Sequence, residues 1–252
     1  MFTDPAAFGT AAGVASMVMS VACVGYDTWT GRKPGLPRIA FKTLASTAFM
    51  VGALFFNLAG HPNCPIPATP DAPMPADAAA FFVEAAQCFS RETVPFDPRF
   101  NMFAALLLCF VGDVLLLFPE FFVAGLLSFL LGHLGFVGVF VVRSFDAQRF
   151  ATFGAGPLLI FGWWIQSWLF PVAGKLLIPV AAYLLIILAM VGCAVAGSHG
   201  AVAVAAAVLF LLSDVGVARD KFIGHSLGNR MTLLLYYAAV NMFASLLAAP
   251  DF

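Results

Sequence analysis

The chain has 252 residues, of which 62% are hydrophobic and only 10% charged, with a formal net charge of -1. An ordinary soluble domain carries roughly 25% charged residues, so water is excluded as the main solvent. The near-neutral balance also excludes a basic surface of the kind that neutralises nucleic-acid phosphates, and no nucleic-acid partner is expected.

Apolar stretches of about 20 residues cross a ~30 Å hydrocarbon layer. Such stretches predict spans at about 7–26, 38–58, 100–118, 121–141, 152–170, 175–194, 200–218 and 229–248. The fold class is therefore all-α: a polytopic integral membrane protein of about eight transmembrane helices in one bundle. Residues 1–252 form a single transmembrane helical domain with one Pro-rich extramembrane loop at about 59–99.

The first run follows Asp4 and no basic segment leads it, so it is expected to be retained rather than cleaved as a signal peptide. The second opens with Arg38 and holds Lys42 in IAFKTLASTAF. The loop that follows carries Pro62, Pro65, Pro67, Pro70, Pro73 and Pro75, and its stretch Ala78 to Phe89 is predicted to form a short amphipathic helix on the outer surface. Its Cys64 and Cys88 are able to pair if the loop faces an oxidising compartment. The third run carries Asp113 in FVGDVLLL, and the fourth His133 in LLGHLGF. Gly52, Gly125, Pro157 and Pro179 fall within spans, as membrane helices tolerate. The sixth run holds Tyr183. The seventh begins with a small-residue run, Ala201 to Ala207, suited to close helix packing, and contains Asp214 in LLSDVGVARDKF. The eighth contains Tyr236, Tyr237 and Asn241. Cys23, Cys109 and Cys193 lie in apolar helices, where a thiol acts as a small buried hydrophobe.

Eight Lys or Arg side chains lie in or beside the odd-numbered connections and four (Arg91, Arg99, Arg143, Arg149) in the even-numbered ones. Cytoplasmic loops are enriched in these residues, so the loops after helices one, three, five and seven are expected in the cytosol. In that orientation Asp113 lies about five residues inside its span and Asp214 about four, or roughly 6–7 Å. Lys42 enters by about four residues, and Tyr183 and Tyr236 by about eight, or roughly 12 Å. These groups are expected to share one inward-facing layer. His133 falls near the bilayer middle, roughly 18 Å in.

Ionisable groups in a span are costly and mark function by default. A carboxylate there must be paired, protonated or wet, and two at similar depth on different helices suggest a shared polar cavity. Two carboxylates at close range do not both ionise easily, so one is expected to keep its proton as a general acid beside a general base. Lys42 either snorkels to the interface or pairs with an Asp carboxylate. His133 is either a hydrogen-bonded helix contact or part of the site, and the tyrosines either pack or contact a ligand.

The segments GDVLLLFPEFFVAGLLSFLLGHLGF and LYYAAVNMF resemble the YhhN family of membrane lysoplasmalogenases. Between them, IPVAAYLLIILAMVGCAVAG and AVLFLLSDVGVARDKF are similar to the family's Tyr-containing helix and Ser-Asp helix, and FKTLASTAF resembles its early Lys helix. The resemblance covers most of 38–58 and 100–248, leaving the 59–99 loop outside it. Thr43 stands where Pro is usual and Asn241 where Gln is usual, and ARDKF departs from an Asn-Arg-Phe type ending.

The resemblance implies hydrolysis of the vinyl-ether bond of lysoplasmalogens to a fatty aldehyde and glycerophosphocholine or glycerophosphoethanolamine. It implies a lysophospholipid substrate within membrane lipid, no cofactor, and two essential aspartates that map onto Asp113 and Asp214. Lys42, His133, Tyr183, Tyr236, Tyr237 and Asn241 are then substrate-binding candidates, and Arg219 and Lys221 either hold the lipid phosphate or anchor the loop. The host membrane is expected to be an endoplasmic-reticulum type or a bacterial inner membrane, and the oligomeric state stays open.

Readings from other classes are a transporter that relays protons through the two aspartates and a non-catalytic lipid-binding protein. An intramembrane aspartyl protease would need Tyr-Asp and Gly-x-Gly-Asp, where this chain has VGD and LSD. A zinc hydrolase would need several intramembrane histidines, whereas His61, His199 and His225 fall in loops or at helix ends. No metal is expected.

Overall fold

The computed structural model describes residues 5–30, 36–60, 97–143, 145–224 and 228–249, which are almost wholly helical and include no strand. Eight long helices occur among them: α1 (Pro5–Thr30), α2 (Leu36–Gly60), α3 (Pro98–Leu115), α4 (Phe122–Arg143), α5 (Gly156–Ala173), α6 (Leu177–Ala196), α7 (Gly200–Ile223) and α8 (Gly228–Leu246). Six stretches are long and apolar enough to cross a membrane, and Met231–Leu246 is a shorter apolar helix. The 50-residue stretch Ala147–Ala196 holds two crossings, because Gly174, at φ 53°, breaks it between α5 and α6. The two run antiparallel: Gly162 near the middle of α5 faces Leu188, while Gly192 near the end of α6 faces Phe150 ahead of α5. The chain is thus an all-α integral membrane protein. The expected surface helix over Ala78 to Phe89 and the Cys64–Cys88 pairing lie outside the described residues.

Local chemistry sets several helix ends. Asp97 caps α3 by accepting from the Arg99 backbone N–H at 2.9 Å, and Pro98 begins the helix where a missing N–H costs nothing. Arg99, expected as a loop cation, is instead buried and donates to the Leu247 and Ala249 carbonyls at 2.6 and 3.1 Å. It thereby ties the start of α3 to the end of α8. The span expected from 152 begins earlier, with a helical turn at Ala147–Arg149 and a π-helical segment at Phe150–Ala155. Pro157, which has no N–H to give, marks the change to α-helix.

Helices α2, α3, α4, α6, α7 and α8 pack in that order into a ring that closes between α8 and α2. Outside it, α1 packs on α2 and α8, and α5 on α6 and α7. The ring is filled by aromatic side chains: Phe136, Phe140, Phe210, Phe243 and Tyr237 are fully buried, and Phe136 stacks on Phe243 at 4.5 Å. Ala203, Ala206 and Ala207 are each 0% exposed, which fulfils the expectation of close packing along the small-residue run. The α3–α4 approach is tight at Gly132, where an added Cβ would lie 3.0 Å from Cys109 Sγ and 3.1 Å from the Ala105 carbonyl.

Gly132→Ala is therefore expected to push α3 and α4 apart and cost about 1–3 kcal/mol. Gly25, whose Cβ position meets nothing within 4 Å, is expected to accept Ala with unchanged or slightly raised stability. Thermal unfolding of the two variants in detergent checks the contrast, and equal loss in both would contradict this account of the α3–α4 contact.

Candidate functional site

A cavity of about 320 Å³ lies within the ring, lined by both Asp113 and Asp214. Arg38 from the start of α2, Phe118 and Pro119 from the α3–α4 turn, and Lys221 and Phe222 from the end of α7 surround one end of it. Those positions belong to the first, third and seventh connections, which an up-and-down bundle brings to one side. Exposed Lys221 marks the open end. The remaining wall is largely apolar, with Phe129 of α4, Ile165 and Leu169 of α5, and Val180, Leu184 and Ile187 of α6. The cavity is amphipathic along its length.

The two carboxylates have opposite environments. Asp113, near the end of α3, receives Lys42 Nζ on Oδ1 at 2.5 Å, and the same ammonium lies 3.3 Å from its backbone carbonyl. The Ser46 hydroxyl bonds Oδ2, and Tyr237 Oη is 2.8 Å from the same oxygen. Tyr237 Oη also lies 2.8 Å from Ser46 Oγ and 3.0 Å from the Lys42 carbonyl, so its single proton has three alternative acceptors. Asp113 is thus an ion pair with two hydroxyls closing its other face, and of the roughly four lone-pair sites of a carboxylate few remain open.

Asp214, on α7, has no cation among the described residues within salt-bridge distance. Tyr183 of α6 donates to its Oδ2 at 2.6 Å, and His133 Nε2 of α4 stands 3.7 Å from the same oxygen. His133 is 1% exposed. Ser213, beside Asp214, turns away and donates to the Thr232 carbonyl at 3.0 Å, which fixes α7 against α8.

The helix ends fall differently from the spans expected. Helix α3 ends at Leu115 rather than near 118, leaving Asp113 two residues from its end, whereas α7 continues to Ile223 rather than 218, leaving Asp214 nine residues in. At 1.5 Å per residue Asp214 is roughly 14 Å from the helix end, close to the depth of His133 on α4.

Of the other expected residues, Lys42, Tyr183 and Tyr236 line the cavity with Lys221, and Tyr237 and His133 stand behind the two carboxylates. Tyr236 donates to the Cys109 carbonyl at 3.2 Å, which leaves its ring as wall. Two expectations of ligand contact are not met by position. Asn241 points to α1, donating to Ser16 Oγ at 3.2 Å and to the Tyr237 carbonyl at 2.7 Å. Arg219 is exposed and outside the lining, two residues and hence about 200° around the helix from Lys221. Lys221 reaches over the Phe122 ring at 4.1 Å.

Two contributors were not anticipated. Ser46 completes the shell of Asp113, and Arg38 lines the cavity while its Nε donates to Asp27 at 2.9 and 3.2 Å. The signal for both is spacing, since Arg38, Lys42 and Ser46 recur every four residues and so form one polar stripe on an apolar helix. His199 packs its ring on Phe140 at 5.2 Å, while His61 and His225 lie outside the described residues. Among the described residues no group of three or more His, Cys, Asp or Glu gathers as a metal site would require.

No curated protein and no solved structure matches the chain. A family model does, that of the YhhN family, over residues 73–246. The match takes in part of the Pro-rich loop that the resemblance had left outside, and it stops short of α2, so Arg38, Lys42 and Ser46 are joined to the site by geometry alone. It spans more than half of the chain and contains Asp113, His133, Tyr183, Asp214, Tyr236 and Tyr237 together with the helices that carry them, and on that ground the chain belongs to the YhhN family.

Proposed function

We propose that the chain is a membrane lysoplasmalogenase that hydrolyses the vinyl-ether bond of lysoplasmalogens to a fatty aldehyde and a glycerophospho-choline or -ethanolamine. The observation that carries the reading is the pair of carboxylates with unlike partners on one amphipathic cavity. Family membership supports the same reaction class. A one-chain amphiphile suits the cavity, with its alkenyl chain along Ile165, Leu169, Val180, Leu184 and Ile187 and its head at the charged end. Lys42, a substrate-binding candidate, is engaged by Asp113, so Arg38 and Lys221 hold the lipid phosphate.

The chemistry needs a proton delivered to carbon, a fixed negative charge and a place for water. Asp214, without a cation, is the group that is cheapest to bury with its proton on, and it donates that proton to the alkenyl carbon distal to the ether oxygen. The adjacent carbon and the oxygen then share the positive charge of an oxocarbenium ion. Asp113, held by Lys42, Ser46 and Tyr237, is the preorganised charge facing it, and it orients the water that adds to that carbon. The added water loses a proton to a carboxylate, which balances the one supplied. The hemiacetal then breaks its bond to the glycerol oxygen, its hydroxyl proton passing to that oxygen, and releases aldehyde and alcohol. The apolar wall keeps bulk water from the cation before the bound water reaches it.

Purified protein is expected to release fatty aldehyde from lysoplasmenyl-ethanolamine, and Asp214→Asn or Asp113→Asn to lower kcat at least ~100-fold. Folded protein that releases none would refute the reaction. Arg38→Gln and Lys221→Gln are each expected to raise KM about tenfold, the scale of one charged hydrogen bond, with kcat nearly unchanged. A fall in kcat alone would remove both residues from the head-group site.

The ion pair makes a separate stability prediction. Lys42→Met leaves Asp113 without its cation and is expected to cost ~3–5 kcal/mol, whereas adding Asp113→Asn to it is expected to restore much of the loss. Thermal unfolding of the two single variants and the double variant checks the sign of the coupling.

A further inference from the structure

His133 is held in a way that the reaction alone does not explain. Its ring sits edge-on against Phe210 at 4.6 Å, Tyr183 at 5.3 Å and Phe136 at 6.3 Å, and it is almost completely enclosed. Its Nδ1 is 2.6 Å from the Phe129 carbonyl, one helical turn back on α4. A carbonyl only accepts, so Nδ1 carries a hydrogen. In a neutral imidazole Nε2 is then a bare lone pair. That atom is buried and has no hydrogen-bond partner, and Asp214 Oδ2 stands 3.7 Å from it.

A bare imidazole lone pair, ringed by aromatic side chains, faces a carboxylate oxygen whose described donor is Tyr183, which leaves an acceptor buried against an acceptor. One proton removes the conflict. On the imidazole it would create two buried ions facing one another at 3.7 Å; on the carboxyl it leaves both groups neutral and points an O–H, in place of a lone pair, toward Nε2 across the same gap. Tyr183 remains able to donate to the same oxygen through its other lone pair. Asp113, by contrast, already has a cation of its own in Lys42.

We propose that His133 and Asp214 hold one proton between them in the resting protein, carried on Asp214 and directed at His133 Nε2, which makes His133 the positioning residue that keeps Asp214 loaded as a proton donor. The use of that proton rests on the lysoplasmalogenase reading, whereas its location does not. Once Asp214 gives the proton up, Nε2 again faces a bare carboxylate. The enclosure that favoured the acid form now favours taking a proton back, which would return the site to its starting state after the water step.

The test is infrared spectroscopy of the purified protein in lipid, in H₂O and in D₂O, beside aldehyde release. Wild type is expected to show a carboxylic-acid carbonyl band that moves on deuteration and disappears in Asp214→Asn. In His133→Phe, which removes the acceptor, the band is expected to shift, with kcat down about tenfold or more and KM little changed. Should that variant fail to fold, His133→Gln, which offers an acceptor oxygen in place of Nε2, is expected to keep a band near the wild-type position and most of kcat. A wild-type spectrum without the band, or one that Asp214→Asn or His133→Phe leaves unaltered, overturns the proposal. Aldehyde release absent with the Asp214 band present would refute the reaction while supporting the proton's assignment.

Discussion

The contact between Lys42 and Asp113 is the constraint from which the rest of the site follows. Neither charge is tolerable alone in hydrocarbon, and each lies on a different helix, so the membrane itself forces α2 and α3 to meet at one register. Once Lys42 is committed, Ser46 follows one turn on and Tyr237 of α8 closes the same carboxylate, drawing the last helix of the chain against the second. The ring is thereby closed by a polar cluster at a point where van der Waals packing would be indifferent to register. Arg99 does similar work at the opposite end of α3, binding the last carbonyls of α8.

Much of this was legible in the sequence because the bilayer leaves so few options. Helix number follows from hydrophobic length, and Asp113 and Asp214 are conspicuous because a carboxylate in an apolar run demands a reason. Composition does not show where a helix ends relative to its neighbours. ARDKF contains three charges, which read as the close of a span, yet α7 keeps its hydrogen bonds through Ile223 and carries Asp214 deeper as a result. Leu116, Leu117 and Phe118 read as membrane helix by hydropathy, but α3 has already ended at Leu115.

Asn241 illustrates a different limit. It stands one turn after Tyr237 and therefore shares that residue's face, which turns from the cavity toward α1 and α2. Adjacent Tyr236 and Tyr237 were indistinguishable by depth, yet they differ by about 100° around the helix. One becomes a wall of the cavity and the other a ligand of Asp113. Rotation about the helix axis, more than depth, separates the groups that face the cavity from those that support it, and it is recoverable from sequence only where a second polar residue repeats on the same stripe, as Ser46 does after Lys42.

The division between the two carboxylates has a chemical logic that equal partners would not provide. A pair of aspartates sharing one environment would have to split acid and base roles by mutual repulsion, at short range and with little control over which one held the proton. Here the split is made by the helices that surround each group. The α2 stripe brings an ammonium to Asp113, while α4 and α6 bring only an imidazole and a phenol to Asp214. The cost is that Asp214 must stand against aromatic rings with no cation to offset it. That cost is what makes it useful, because a group that is expensive to leave charged has a stable neutral form to act from and a reason to return to it. In the proposed reaction, stability concentrates at the ion pair, and reactivity at the carboxyl deprived of one.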